Sequence, residues 1–296
     1  MTCIATLIAS GSLRDHHIAQ AQAALPSPGA PEWLEPGTAA DIPFTPDAAL
    51  DQRAVSNRLR AALAGAPVDI AVQPLAHRRK KLLVADMDST MIGQECIDEL
   101  ADYVGLKDHI AAITERAMRG EIAFEPALRE RVEMLKGLPV SVVEEVITHR
   151  IALTPGARTL VRTMRARGAY TCLVSGGFTI FTAEIARMIG FDETRANTLL
   201  IGSDGRLLGV VQEPILGREA KLETLRELTA KLGLSPHETM AVGDGANDLA
   251  MIECAGLGVA YRAKPKLAAA AHARIDHCDL TALLYVQGYR RAEFAT

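Results

Sequence analysis

The stretch Leu82-Leu83-Val84-Ala85-Asp86-Met87-Asp88-Ser89-Thr90 decides how the rest of the chain is organised. Its first four residues are apolar, which is typical of a parallel strand buried on both faces. Two carboxylates, Asp86 and Asp88, follow at the point where open α/β sheets bind their ligands. Because buried charges are costly without a partner, the pattern favours a cation or a reaction here. The alternative is a turn whose aspartates cap a helix.

Composition places the chain among globular proteins that handle small molecules. With 296 residues, of which 49% are hydrophobic, it is long enough for one large domain or two modest ones. The formal net charge is −4 and the basic residues are dispersed, which argues against nucleic acid as a partner. We therefore expect a small-molecule substrate, while the oligomeric state, with a homodimer as one option, stays open.

The cellular location is predicted from features that the sequence lacks. No run of 18 or more apolar residues is present, so no membrane-spanning helix and no membrane partner are expected. The apolar first ten residues have no basic stretch before them, which argues against a secretory signal. The five cysteines are scattered and form no CxxC pair, which is not the pattern of a disulfide framework, and we expect a cytoplasmic protein.

The first 76 residues differ in texture from the rest and predict a small α+β module. The patterns indicate strands at residues 2–9 and 68–72 and helices at residues 16–25 and 48–64. This order suits a reduced ferredoxin-like or ACT-type domain. ACT-type domains often bind amino acids, but no glycine-rich ligand loop is present, so a structural or dimerising role is favoured.

Beyond the opening stretch, the pattern becomes helical and predicts four helices in succession. Residues 92–103, 107–118 and 123–136 show helical spacing, and a fourth helix begins at Ser141. Ser141 and Glu144 are spaced as a capping box, which supports that start. Four helices inserted after a strand that ends in carboxylates predict a helical cap over a Rossmann-like core.

One arginine of the third cap helix is singled out by its position. Arg131 lies three residues after Leu128 and four before Leu135, on the apolar face of that helix. A guanidinium that points inward needs an anionic partner. The alternative is an arginine at the edge of the apolar stripe whose charged head reaches water. The spacing alone leaves both interpretations open.

Two weaker signals occur in the second half of the chain. Residues 170–174 predict a strand, which is followed by Ser175-Gly176-Gly177 and a helix at residues 178–189. A hydroxyl, free backbone N–H groups and a helix start can together bind an anion, although a Ser-Gly-Gly turn by itself is common. Lys221 lies in the first turn of a helix at residues 218–232, where its charge opposes the helix dipole. An ordinary surface lysine remains the alternative.

The most specific signal is the motif Gly243-Asp244-Gly245-Ala246-Asn247-Asp248, which follows a short apolar strand at residues 239–242. Asp244 and Asp248 carry hard oxygen atoms of the kind that Mg²⁺ prefers. Between Lys221 and the strand that carries Ser175, residues 197–211 predict a β-hairpin. An apolar helix is predicted at residues 249–254, directly after the motif, and a closing helix at residues 280–289.

Taken in order, the DxDST, SGG, lysine and GDGAND signals resemble the four motifs of the haloacid dehalogenase superfamily. Further residues are similar to those of one family within it, the phosphoserine phosphatases. They are Glu95, GEIAFE at 120–125, Arg131-Val132 and VSGGF at 174–178. The resemblance covers about residues 80–290, shows no departure in these motifs and leaves out residues 1–76.

The resemblance implies a fold and a division of the chain. We expect a Rossmann-like three-layer α/β core at residues 77–93 and 154–296 and a helical-bundle cap at about 94–153. The α+β module (ACT or ferredoxin-like) would occupy residues 1–76.

The resemblance also implies an activity, the Mg²⁺-dependent hydrolysis of O-phospho-L-serine to L-serine and phosphate through an aspartyl-phosphate. This reaction is the last step of serine biosynthesis. One alternative keeps the fold and acts on another small phosphomonoester, or transfers the phosphoryl group to an alcohol. The alternative from another class is an amino-acid-binding regulatory protein with an inert core.

Catalytic roles follow from the resemblance position by position. Asp86 corresponds to the nucleophile and Asp88 to the general acid and base. The groups that correspond to the Mg²⁺ ligands are Asp86, the backbone carbonyl of Asp88, and Asp244. Asp248 corresponds to a residue that supports these ligands without binding the ion itself. Asn247 would lie beside the phosphate and its attacking water.

The resemblance likewise implies which residues bind substrate. Ser175, the Gly176 N–H and Lys221 correspond to the groups that hold the phosphate. Glu95 and Arg131 correspond to those that hold the ammonium and the carboxylate of the serine part. An arginine can bind a carboxylate through two parallel hydrogen bonds, and a carboxylate can pair with an ammonium, so both assignments are chemically sound.

Overall fold

A ten-stranded sheet runs through the part of the chain that this computed structural model describes, residues 2–47 and 51–295. A separate two-stranded sheet consists of β8 and β9. The strands are β1 (Cys3–Ile8), β2 (Glu32–Glu35), β3 (Ala39–Phe44), β4 (Asp69–Pro74), β5 (Leu82–Ala85), β6 (Tyr170–Phe178), β7 (Glu193–Asn197), β8 (Leu199–Ile201), β9 (Leu207–Val211), β10 (Thr239–Gly243), β11 (Leu257–Tyr261) and β12 (Ala273–Ile275).

Helices cover both faces of the sheet and its carboxyl edge. They are α1 (Asp15–Ala24), α2 (Gln52–Ala62), α3 (Cys96–Asp102), α4 (Lys107–Met118), α5 (Phe124–Glu133), α6 (Ser141–His149), α7 (Ala157–Ala166), α8 (Thr179–Ile189), α9 (Arg218–Lys231), α10 (Leu249–Cys254), α11 (Pro265–Ala270) and α12 (Ala282–Val286). Within the described ranges, no helix is long and apolar enough to cross a membrane.

The strand predicted from the opening stretch is confirmed and lies inside the parallel part of the sheet. The strand order is β2-β3-β1-β4-β12-β11-β10-β5-β6-β7, and the neighbours from β12 to β7 are all parallel. Leu83 and Ala85 pack into the cluster that includes α7 and α8, while Leu82 and Val84 pack into the cluster with α9 and α10. Helices on both faces give the three-layer α/β core that the motifs predict.

The first 76 residues contain the element order β-α-β-β-α-β, with strands in the order β2-β3-β1-β4 and every neighbouring pair antiparallel. This is the order of a ferredoxin-like module. Residues 48–50, where the predicted second helix begins, lie outside the described residues, and α2 starts at Gln52. Strand β4 pairs with β12, so this module extends the core sheet. Its division from the core at residue 76 stays a prediction.

The four predicted cap helices correspond to α3–α6, but the first begins later than its spacing suggests. Residues Met87–Met91 form an irregular turn after β5, in which Ser89 adopts a φ of 53°. This left-handed conformation, which is unusual for a non-glycine residue, lies within the turn that leads the chain from β5 to the cap. Helix α3 therefore starts at Cys96.

Three local predictions need correction. Strand β6 continues through Ser175-Gly176-Gly177 to Phe178, because its register with β7 shifts there and the chain stays extended. Asn197 belongs to the edge strand β7, and the hairpin consists only of β8 and β9. The closing helix expected at residues 280–289 is restricted to α12, since Gly288 turns the chain with a positive φ of 78°.

Candidate active site

Polar side chains from three neighbouring parallel strands meet at the carboxyl edge of the sheet. Asp86 follows β5, Asp244 follows β10 and Ser175 lies near the end of β6, and β5 pairs with both other strands. All three side chains are buried. Parallel strands place their carboxyl ends side by side, so motifs that are 158 residues apart in the chain become neighbours here.

Lys221 lies beneath this edge and links two of the acidic groups. Its Nζ is 2.7 Å from Asp86 Oδ1 and 2.7 Å from Asp248 Oδ1, and the side chain is fully buried. Burial would lower the pKa of Lys221, but the attraction of Asp248 and Asp86 outweighs it and raises that pKa above its usual value. The ammonium therefore stays charged, which decides against the surface-lysine alternative.

Three carboxylates form an acidic cluster around that lysine. Oxygen atoms of Asp86, Asp244 and Asp248 lie within 4.8 Å of one another. Asp248 Oδ2 accepts hydrogen bonds from the N–H groups of Asp244 and Gly245, each over 3.1 Å, so the turn itself orients this carboxylate. Burial, reinforced by Asp248, raises the pKa of Asp86 well above its usual range and that of Asp244 to about 7.

The Asp88 carboxyl is hydrogen-bonded to groups outside that cluster. Its Oδ1 accepts a hydrogen bond from the Cys96 N–H over 2.9 Å, and its Oδ2 accepts one from the Ser175 hydroxyl over 3.2 Å. Burial raises the pKa of Asp88 in spite of these two hydrogen bonds. A buried carboxyl that retains its proton more readily than usual can donate that proton to a neighbouring oxygen.

The Ser-Gly-Gly segment is closely covered by the cap. Ser175 Oγ accepts a hydrogen bond from the Gly177 N–H over 2.8 Å. The ring of Phe124, at the start of α5, packs directly on Gly176, and a Cβ atom at position 176 would lie only 2.6 Å from the ring Cζ. Glycine is therefore required here by the approach of the cap.

Two cap residues bring opposite charges to the same space. Glu95 Oε1 accepts a hydrogen bond from the Ser89 hydroxyl over 2.6 Å, and burial together with Asp88 and Asp244 raises its pKa well above the usual range. Arg131 is only 4% exposed, so the inward orientation, one of the two left open by its spacing, is the one observed. Its Nε donates to the Ala127 carbonyl over 2.9 Å.

Most of these groups line the same cavity, which lies between cap and core. Apolar side chains from the cap, among them Ile97 and Leu128, form part of its wall. Lys221, Asp244 and Asp248 are buried beneath it. Apart from Thr114, the polar lining comes from residues that the sequence analysis singled out, namely Asp86, Asp88, Glu95, Arg131, Ser175, Gly176 and Asn247.

Comparison with known proteins agrees with this arrangement. The chain matches the haloacid dehalogenase-like hydrolase family over residues 83–253. It is 44% identical over 238 residues to the phosphoserine phosphatase of Archaeoglobus fulgidus, which covers 80% of this chain and 69% of that protein. It is 46% identical over 225 residues to the phosphoserine phosphatase of a Polaromonas species, over 74% of this chain and 95% of that protein. The chain belongs to the phosphoserine phosphatase family of haloacid dehalogenase-like hydrolases.

Solved structures of this superfamily share the fold. A haloacid dehalogenase family hydrolase from Salmonella enterica serovar Typhi is 30% identical and superposes with a TM-score of 0.84, over 96% of this chain and 98% of that one. Two phosphoserine phosphatase structures, one substrate-bound and one of a phospho-aspartyl intermediate analogue, are 40% identical with a TM-score of 0.67. Each covers 70% of this chain and 98% of its own.

For a phosphoserine phosphatase family member, the acidic cluster fits a divalent cation. The cluster holds three buried carboxylates, of which Lys221 pairs with Asp86 and Asp248, so the negative charge of Asp86, Asp244 and Asp248 is not balanced by Lys221 alone. Burial is the main cause of the raised pKa values of Asp86 and Asp244, and the negative charge of Asp248 adds to it. Oxygen donors in such a cluster are those that hard divalent ions take.

Several partners of the phosphoserine phosphatase site residues carry no sequence signal of their own. Thr114 accepts a hydrogen bond from Arg131 Nη1 over 2.9 Å and donates one to Asp98 over 2.8 Å. Asp98 lies on α3 and Thr114 on α4, and the packing of these helices brings both residues close to Arg131. The spacing of residues along one helix does not reveal such contacts. Asn197 was predicted to lie in a hairpin. Only its pairing with Phe178 of β6 shows that it lies beside the Ser-Gly-Gly segment.

Proposed function

We propose that this protein hydrolyses O-phospho-L-serine to L-serine and inorganic phosphate, with Mg²⁺ as its divalent cation. One observation carries the proposal. A partly buried carboxylate and a buried guanidinium, Glu95 and Arg131, line the same cavity as Asp86, Asp88 and Ser175. A molecule with an ammonium, a carboxylate and a phosphate therefore has a complementary partner for each group. The 40% identity to a substrate-bound phosphoserine phosphatase supports this choice.

We further propose that Asp86, Asp244 and the backbone carbonyl of Asp88 hold Mg²⁺, while Asp248 supports them through Lys221 and through the N–H groups of its own turn. When bound, the cation offsets the negative charge of the carboxylates and of the phosphate and helps to orient the phosphoryl group. The side chain of Asp88 is then free for proton transfer.

In the first step, the Asp86 carboxylate attacks phosphorus and the bond from phosphorus to the serine oxygen breaks. Asp88, whose pKa is raised by burial, transfers its proton to that leaving oxygen. Lys221, the Ser175 hydroxyl and the Gly176 N–H stabilise negative charge on the remaining phosphoryl oxygens. Serine leaves, and the phosphoryl group remains on Asp86.

In the second step, water attacks the same phosphorus atom and the bond to Asp86 breaks. Asp88, now a carboxylate, accepts the proton of the water, so that the acid of the first step is the base of the second. Asn247 Oδ1 is buried and has no hydrogen-bond partner among the described residues. This oxygen atom can accept a hydrogen bond from the attacking water. Inorganic phosphate then leaves the site.

Phosphate release from L-phosphoserine, phosphoethanolamine and glycerol phosphate, with Mg²⁺ and then with excess chelator, tests the proposal. Phosphoethanolamine lacks the carboxylate that Arg131 would bind, and glycerol phosphate lacks the ammonium as well. We expect metal-dependent release from phosphoserine and slow release from the other two. Equal release from all three would remove the roles of Glu95 and Arg131, and no release from any would remove the activity.

Replacing the nucleophile tests the chemistry separately. Asp86→Asn keeps the size of the side chain but removes the attacking charge, and losses of about 10⁶-fold have been seen when an enzyme nucleophile is deleted. We expect turnover to fall to background while the melting temperature stays near that of the wild type. Asp204→Asn, at the tip of the β8–β9 hairpin, is the matched control and should keep full activity. Full activity in Asp86→Asn would disprove the assignment.

Three expectations remain predictions: a cytoplasmic location, assembly into a homodimer, and separate domains at residues 1–76 and 77–296, with the cap at about 94–153.

A further inference from the structure

A buried amide connects the two segments of the phosphate clamp, by which we mean Ser175, Gly176 and Lys221. Asn197 is the last residue of the edge strand β7 and is 3% exposed. Its side chain is hydrogen-bonded to the backbone of Gly176 and to the backbone of Leu216. It does not line the cavity, so any effect on substrate has to pass through these partners.

The first connection orients the Ser175 hydroxyl. Asn197 Nδ2 donates to the Gly176 carbonyl over 2.8 Å. The other end of that planar peptide, the Gly177 N–H, donates to Ser175 Oγ over 2.8 Å. Because Ser175 Oγ accepts a hydrogen bond from the backbone, its own proton is directed toward the cavity, where Asp88 Oδ2 lies 3.2 Å away.

The second connection fixes the start of the helix that carries Lys221. Asn197 Nδ2 donates to the Leu216 carbonyl over 3.0 Å, and the Leu216 N–H donates to Asn197 Oδ1 over 2.7 Å. Leu216 lies directly before the Gly217 cap of α9, whose first turn contains Lys221. One side chain thus holds β6 and α9 at a fixed separation.

The backbone ladder does not hold this region by itself. The register between β6 and β7 shifts between Val174 and Phe178, so the regular pairing is interrupted at the Ser-Gly-Gly segment. Backbone carbonyl groups that are shielded from water need hydrogen-bond partners, and Asn197 supplies them for the partly buried Gly176 and Leu216. An apolar residue at this position would leave those groups without them.

We propose that Asn197 is a positioning residue for phosphoryl transfer, which keeps Ser175, Gly176 and Lys221 in register with one another. The inference rests on the proposed function, in which these three groups bind the phosphoryl group. Displacing such groups by about 1 Å can cost about 10²-fold in rate. The amino-acid half of the site, formed by Glu95 and Arg131 of the cap, makes no contact with Asn197 and should be unaffected.

Asn197→Asp tests the proposal, since it keeps the shape and the acceptor for the Leu216 N–H but turns a carboxylate oxygen toward two carbonyl groups. Asn197→Ser is a smaller second variant in case the first does not fold. Asn57→Asp, on the exposed face of α2, makes the same chemical change outside the site. We expect KM for phosphoserine and the inhibition constant of inorganic phosphate to rise at least about 10-fold in the Asn197 variants. The preference for phosphoserine over phosphoethanolamine should stay within about twofold.

If Asn197 only stabilised the fold, the kinetic constants of its variants would change in a different way. An inhibition constant for phosphate that equals the wild-type value, with kcat reduced in line with the melting temperature, would overturn the proposal. Loss of the phosphoserine preference without a change in that constant would overturn it as well. If the wild type does not hydrolyse phosphoserine, calorimetric binding of inorganic phosphate with Mg²⁺ still tests the clamp. Binding about 10-fold weaker in the variant supports the proposal, and equal binding overturns it.

Discussion

At this site, the stability of each buried charged group depends on its charged neighbours. Lys221 is shared between Asp86 and Asp248 at 2.7 Å each, with no exposure to solvent. Removing Lys221 would leave both buried carboxylates without their partner, which is strongly destabilising, whereas removing the charge of Asp86 leaves Lys221 paired with Asp248. Substitutions at these three positions should therefore be strongly non-additive, and the loss caused by one residue does not measure its own contribution.

Arg131 provides the sharpest test of substrate choice. Arg131→Ala removes the partner proposed for the substrate carboxylate, and loss of one member of a buried charged pair costs about 2–5 kcal/mol. We expect kcat/KM for phosphoserine to fall by about 10²- to 10³-fold and that for phosphoethanolamine to change much less. Steady-state kinetics on both substrates measures this difference.

Arg129 supplies the matched control for this experiment. It lies on the same helix but faces solvent, where it pairs with Glu213 at 2.7 Å with both side chains more than half exposed. Arg129→Ala should leave kcat/KM for both substrates near the wild-type value. Equal losses for phosphoserine and phosphoethanolamine in Arg131→Ala would contradict the role proposed for Arg131.

The Asp244 carboxyl predicts how stabilisation by metal depends on pH. Burial and the neighbouring Asp248 raise its pKa to about 7, against about 3.9 in an unfolded chain. In the metal-free protein, the stability that this group contributes is fully present below the unfolded value and is lost as the pH rises through about 7. A bound cation offsets the negative charge of the ionised Asp244 carboxylate, so this loss of stability does not occur in the metal-bound protein. The rise in melting temperature on adding Mg²⁺ should therefore be larger near pH 8 than near pH 5.5.

Thermal melts at matched ionic strength check this expectation, with KCl in place of MgCl₂ as the control for screening by salt. The same Mg²⁺-induced shift at both pH values would contradict it.

At the scale of secondary structure, the contact between α5 and β6 joins cap to core. The Phe124 ring packs where a Cβ of residue 176 would lie, 2.6 Å from its Cζ. Gly176→Ala should therefore push the start of α5 away from the site, and a displacement of about 1 Å can cost about 10²-fold in kcat/KM. Steady-state kinetics on phosphoserine measures the loss.

A double-mutant cycle tests the cause of that loss. In a Phe124→Ala background, the added methyl group has space, so Gly176→Ala should cost clearly less than in the wild type. The same factor in both backgrounds would mean that the ring contact is not responsible.

Elements with a strong local pattern were predicted well from the sequence. Strand β5 is confirmed with the predicted bounds, and helix α10 begins and ends at the predicted residues. The apolar pattern and the flanking turn residues define the ends of both elements. The extent of β6 and the place of Asn197 depend on the register between two strands, which is a non-local property. Likewise, spacing placed Arg131 on the apolar face, but only the packing of α4 and the core against that face decides that it is buried.

At the scale of the whole molecule, the N-terminal module is joined to the core through a buried ion pair. Arg78 contacts both carboxylate oxygens of Asp41 at 2.5 and 2.7 Å, and it also donates to the carbonyl groups of Tyr285 and Val286. The side chains of Arg78 and Asp41 are only 10% and 5% exposed. One guanidinium therefore ties strand β3 to helix α12.

Breaking this pair should destabilise the protein without changing its chemistry. Arg78→Met leaves the Asp41 carboxylate buried without its partner, a type of change that costs about 3–5 kcal/mol. Urea unfolding should report that loss, while kcat stays near the wild-type value at temperatures where the variant is folded. Arg187→Met, which removes an ion pair from an arginine that is 73% exposed, should leave the free energy of unfolding close to that of the wild type. An equally small loss for Arg78→Met would contradict the structural role of the pair.

The junction between β4 and β12 has a consequence for synthesis on the ribosome. The Asp69 carboxylate at the start of β4 accepts hydrogen bonds from the N–H groups of Asp276, His277 and Cys278, a separation of 207 residues for the first of them. A nascent chain can complete its N-terminal module early, but β4 keeps an unpaired edge until β12 emerges from the exit tunnel, and such edges invite pairing with other chains. Strand β12, which is translated about 200 residues after β4, is the one that closes this part of the sheet.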